Sequence, residues 1–78
     1  MIFYSNFIIK DQDSYEPVSI VKGYYVRETQ RAVFIRLPNG KSIWFPRTTI
    51  NSVYLKDPKL FQEFIIDDWF VRKLGLIL

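Results

Sequence analysis

The sequence predicts a small, mainly β domain of the α+β class that ends in a short helix. Three observations carry that expectation. Apolar and polar residues alternate from Val18 to Glu28, Lys22 excepted, which is the period of a half-buried strand. Asn39-Gly40 lies between two apolar runs, a hairpin signal because both residues tolerate positive φ. Helix-stop chemistry closes the chain, with Arg72 and Lys73 just ahead of Gly75.

Taken in order, Ile2 to Ile9 is rich in aromatic and β-branched residues and reads as the first strand. Lys10 to Ser14 is polar and reads as a loop, and Pro17 limits where the second strand begins. Val18 to Glu28 is that strand. Val18, Ile20, Tyr24 and Val26 fall on one side of it, and Ser19, Val21, Gly23, Tyr25 and Arg27 on the other. Gly23 marks a bend or bulge. Thr29-Gln30 connects to a third strand, Arg31 to Leu37, and Pro38-Asn39-Gly40 turns into the return strand Lys41 to Phe45.

Pro46 removes a ladder donor and ends that pairing. Arg47-Thr48-Thr49 reads as a turn and Asn51 to Leu55 as one more short strand. Asp57 and Pro58 are a helix-start pair. One helix from there to Gly75 would be apolar nearly all round, which a small domain cannot bury. A break is therefore expected: a helical turn at 58–62, an extended piece at 63–66, and a helix at 68–74 capped by Asp67. Five short strands with helical turns describe a five-stranded barrel of the SH3-like or OB-like kind, and local pattern does not separate the two.

The chain has 78 residues, room for one domain spanning 1–78, and 49% of it is hydrophobic, which argues against disorder. Without cysteine or histidine it lacks the usual metal ligands and the commonest general base, so no cofactor and no enzyme is expected. Asp67-Asp68 reads as a helix start facing the macrodipole rather than as an acid–base or metal pair. The three glycines, at 23, 40 and 75, are too far apart for a phosphate loop. No leader and no span of about 18 apolar residues is visible, so a cytoplasmic chain without membrane contact is expected.

Charge is concentrated in the middle of the chain. Residues 22–47 hold six cations against Glu28 alone, while the flanking segments are weakly acidic or neutral. The same strands carry Tyr25, Phe34 and Trp44. With Val33, Ile35 and Leu37 facing the core, Phe34 and Arg36 face out beside Trp44, Tyr25 and Arg27. Rings interleaved with arginines suit nucleic acid, single strands included, because bases stack on rings while cations track phosphates. The candidate site is thus Tyr25, Phe34 and Trp44 for stacking, with Arg27, Arg31, Arg36, Lys41 and Arg47 for phosphates. Two arrangements compete with it: Ala32 and Phe34 facing inward, and a helix lying across this face. A host protein is the alternative partner, and the edge left by Pro46 offers a place for a homodimer.

Residues 26–50, through Trp44-Phe45-Pro46-Arg47-Thr48-Thr49-Ile50, resemble a group of small, mostly uncharacterised β-barrel proteins of phages and other mobile elements. Their pattern is Trp-x-Pro-Lys-Ser-x-Ile, followed by an apolar segment whose Trp leads to a short helix and Gly-Leu, matched here by Trp69 to Gly75-Leu76. Arg47-Thr48 replaces Lys-Ser, and Asp67-Asp68 stands where a Pro-acidic pair often precedes the Trp. The resemblance implies a mobile-element origin, the cytosol of a host cell, and the broken C-terminal helix. It implies no activity.

Overall fold

The computed structural model describes the backbone of residues 5–11 and 14–75, and the side chains from Pro17 to Gly75. Strands β1 (Ser5–Asp11), β2 (Ser14–Glu28), β3 (Ala32–Arg36), β4 (Ser42–Pro46) and β5 (Phe61–Asp67) are followed by helix α1 (Asp68–Lys73). All ladders are antiparallel. Of the polar loop expected at 10–14, Lys10, Asp11 and Ser14 are in strands, and residues 12–13 lie outside the described residues. Residues 2–4 of the expected first strand lie outside the described residues.

β2 is the organising strand. Ser14–Ser19 pairs with β1, Val18–Tyr24 with β5, and Tyr24–Glu28 with β3. Because β5 overlaps both of the others, it occupies one edge of β2 while β1 and β3 share the opposite edge. Gly23 lets the strands approach. A Cβ there would sit 2.6 Å from the Arg36 carbonyl oxygen of β3, so only glycine fits without a shift. The bulge itself comes later, at Val26. Tyr25 faces Ile35 and Arg27 faces Phe34, leaving Val26 without a counterpart.

The β3–β4 hairpin forms as expected. Gly40 N–H donates to the Leu37 carbonyl at 2.9 Å, and Leu37 N–H to the Lys41 carbonyl at 2.7 Å. Pro38 stands at the second turn position and Gly40 takes φ +86°.

The expected strand at 51–55 does not form, and side chains take the place of its ladder. Ile50 makes a single bridge to Ile66, and Asn51 N–H reaches the Ile65 carbonyl at 2.7 Å. Beyond that, Ser52 Oγ accepts from Ile65 N–H at 3.0 Å. The Gln62 side chain then holds the Leu55 backbone at both groups, accepting from N–H at 2.9 Å and donating to the carbonyl at 2.7 Å. This contact is too sparse to join β4 to β5. Among the described residues the sheet is therefore open, not a closed five-stranded barrel.

Two further expectations change. The helical turn at 58–62 is a tight turn only: the Asp57 carboxylate accepts from Lys59 N–H at 2.9 Å, and its carbonyl from Leu60 N–H at 3.1 Å. The extended piece expected at 63–66 is a full strand, Phe61–Asp67. Cross-strand pairing with β2 supplies the hydrogen bonds that local propensity could not indicate. α1 begins where expected, with Asp67 as its N-cap residue and Gly75 at φ +70° beyond its end. The Asp67 side chain does not cap, and instead accepts from Asn51 Nδ2 at 2.8 Å.

The core lies on one side of the sheet. Val21, Val33, Ile35, Leu37, Phe45, Phe64 and Ile66 face it, and Phe70 and Val71 close it from α1. Asp68 fixes the helix to the sheet by accepting from Ser19 Oγ of β2 at 2.5 Å. That hydroxyl, followed by Arg72, holds the Asp68 carboxyl below its ordinary range against the opposing effect of burial.

Candidate nucleic-acid interface

The opposite side of the sheet is not covered by α1, whose Phe70 packs edge-on against the buried Phe45 with ring centroids 5.5 Å apart. The register sorts this outer face into rows. One row runs Trp44–Phe34–Arg27 across β4, β3 and β2. The next runs Ser42–Arg36–Tyr24–Phe61 across β4, β3, β2 and β5. A third pairs Lys22 with Glu63, 3.9 Å apart.

In the first row Phe34 and Trp44 stack with centroids 4.6 Å apart, and the Arg27 guanidinium lies 5.6 Å from each ring. In the second, Arg36 sits 4.8 Å over Tyr24, whose ring is 5.2 Å from Phe61. Cation–π contact holds both exposed guanidinium groups close to the rings of this face. Exposure remains high at the margins, 39% for Trp44 and 47% for Phe61.

The structure thus brings together four of the expected residues, Arg27, Phe34, Arg36 and Trp44, in the outward register. Arg31 and Lys41 are exposed at opposite ends of β3, one in the β2–β3 connection and one after the hairpin turn. They flank the face without lying on it.

Two expected residues are elsewhere. Tyr25 is buried at 8% exposure, stacked on Tyr54 at 6.0 Å, with its hydroxyl donating to Glu28 at 3.2 Å. The reason is the bulge at Val26. Strict alternation puts Tyr25 and Arg27 on one side, whereas the extra residue sends them to opposite sides. Arg47 pairs with Glu28 and donates to the Thr29 carbonyl from Nε at 3.1 Å and Nη2 at 2.8 Å, and to Tyr54 Oη at 3.3 Å. Lys56 joins the same carboxylate at 3.1 Å. Arg47 therefore ties the loop before β5 to the β2–β3 turn.

Tyr24 and Phe61 belong to the face and were not expected there. Tyr24 sits beside Tyr25, so a one-residue phase error exchanges them. Phe61 falls in a stretch read as helical, and only its ladder to Tyr24 reveals its place.

Among the described residues, no group of three or more Asp or Glu side chains is placed to hold a metal ion. No helix among them is long and apolar enough to cross a membrane. Comparison with protein-family models, with curated proteins and with solved structures finds no match to the chain.

Proposed function

We propose that the chain is a non-catalytic accessory protein of a phage or plasmid, working in the host cytosol, that binds nucleic acid through the outer face of β2–β5. One observation carries this reading: two arginines and four rings share a sheet face that the helix leaves open. The exposed rings of Trp44 and Phe61 offer surfaces on which bases stack, and Arg27, Arg36, Arg31 and Lys41 offer charge to the phosphates. Arg47 is not part of this set, because Glu28 already neutralises it. The long β2, shared by three partner strands, and the Ile50–Ile66 bridge support reading the open sheet as a barrel of the SH3-like or OB-like kind with one loose seam.

The test is fluorescence anisotropy with labelled oligonucleotides at about 50 and about 200 mM salt. With four cations on phosphates, a fourfold rise in salt weakens binding by roughly 50-fold for a single strand and roughly 150-fold for a duplex. Trp44→Ala weakens it further at both salts. No binding at the lower salt overturns the proposal.

A protein partner is the second reading, and its support lies elsewhere on the surface. Val53 is 96% exposed and Leu55 63%, both in the segment before β5, and Trp69 of α1 is 57% exposed. An inhibitor or adaptor acting on a host defence or replication protein could use such a surface, as could a homodimer. Concentration-dependent mass without oligonucleotide binding favours this reading over the first.

A further inference from the structure

We infer that the face takes two neighbouring nucleotides of a single strand in an unstacked conformation and discriminates against duplex. This inference rests on the nucleic-acid reading above. It follows from the spacing of the two rows. Phe34 and Arg36 are two residues apart on one strand, so the rows are offset by about 7 Å along it. Bases stacked on each other in a duplex lie only about 3.4 Å apart.

One base lying on Phe34 and Trp44 and its neighbour on Tyr24 and Phe61 are separated by that offset and by about two inter-strand gaps across the sheet, roughly 12 Å in all and well beyond stacking contact. They cannot also stack on each other. An unpaired strand opens in this way at little cost, whereas a duplex must break pairs to do so. Each station has its own guanidinium, Arg27 at 5.6 Å from its two rings and Arg36 at 4.8 Å from Tyr24. Either can serve as a flat stacking plate for the base as well as a charge for the connecting phosphate.

Shape points the same way. From β4 to β5 the face spans three inter-strand gaps, about 14 Å between the outer backbones, which exceeds the roughly 12 Å width of a major groove. The sheet cannot enter a duplex groove face-on, and the stacked faces of paired bases are closed to its rings.

The experiment uses the full chain carrying Trp69→Phe, which leaves Trp44 as the sole tryptophan. A short deoxythymidine single strand and a blunt hairpin duplex are titrated at about 50 mM salt, following Trp44 fluorescence and the anisotropy of a labelled strand. The single strand should quench Trp44 and bind at least about tenfold more tightly than the duplex. Trp44→Leu and Tyr24→Leu keep apolar bulk while removing the ring, so the sheet persists, as circular dichroism would verify. Each should weaken single-strand binding by roughly 5- to 100-fold, and the two losses should multiply in the double variant because the stations are separate.

Equal or tighter duplex binding overturns the inference while leaving the nucleic-acid reading intact. Single-strand binding that neither quenches Trp44 nor responds to the two leucine variants overturns it as well. Loss at Trp44 alone, with Tyr24→Leu silent, removes the second station and with it the two-nucleotide footprint. Absence of binding to both probes defeats the underlying reading.

Discussion

At the scale of single residues, Gly23 and Asp68 show how narrow the tolerances are. Gly23 is an ordinary strand position in its backbone angles, and its requirement comes from the Arg36 carbonyl 2.6 Å from where a Cβ would lie. That neighbour is backbone on an adjacent strand and cannot rotate away. Gly23→Ala should therefore destabilise by about 1–3 kcal/mol in urea unfolding, despite the better strand propensity of alanine. Asp68 makes a different prediction. Its folded carboxyl ionises at lower pH than the ordinary value of 3.8, so its contribution to stability is complete above that value. It is lost as pH falls through the lowered folded value. In denaturant titrations between pH 7 and pH 2 (run at about constant salt), Asp68→Asn should flatten the acid limb of the stability curve. The sequence reading placed Asp68 in the first turn of the helix but missed its partner, because Ser19 is 49 residues away.

Elements succeed or fail according to whether their hydrogen bonds are local. The β3–β4 hairpin was legible because Pro38, Asn39 and Gly40 determine their own turn. The end of α1 was legible for the same reason at Gly75. β5 was not, since its Phe61-Gln62-Glu63-Phe64 start lacks clean alternation and gains strand geometry from seven pairings with β2. The segment at 51–55 failed in the opposite direction. Its composition suits a strand, yet the Gln62 side chain takes both backbone groups of Leu55 and the Ser52 side chain takes the Ile65 N–H, so side chains replace a ladder. Gln62→Ala should release Leu55, speeding exchange of its amide hydrogen and costing about 1 kcal/mol of global stability. Hydrogen exchange read by nuclear magnetic resonance separates the local effect from the global one.

On the scale of the molecule, the decisive fact is which side of the sheet α1 covers. Phe70 and Val71 join Phe45, Phe64 and Ile66 on the inner side, and this leaves both cation–aromatic rows in water. A chain this small has stability on the order of 5 kcal/mol, so Phe70→Ala, at about 3 kcal/mol, should leave it barely folded by chemical denaturation. Legible in the chain itself were the mainly β class, the Asn39-Gly40 hairpin and the concentration of cations in residues 22–47, whereas folding chose Val33, Ile35 and Leu37 over Ala32 and Phe34 as the inward set. The legible features are written in residues close along the chain. Tertiary structure alone decided that Tyr24 rather than Tyr25 faces out, that Phe61 joins the face, and that Arg47 is spent on Glu28. The physical reason is common to all three. An unpaired residue at Val26 inverts the pleat, and pairing partners far apart in sequence choose sides that local periodicity leaves undetermined.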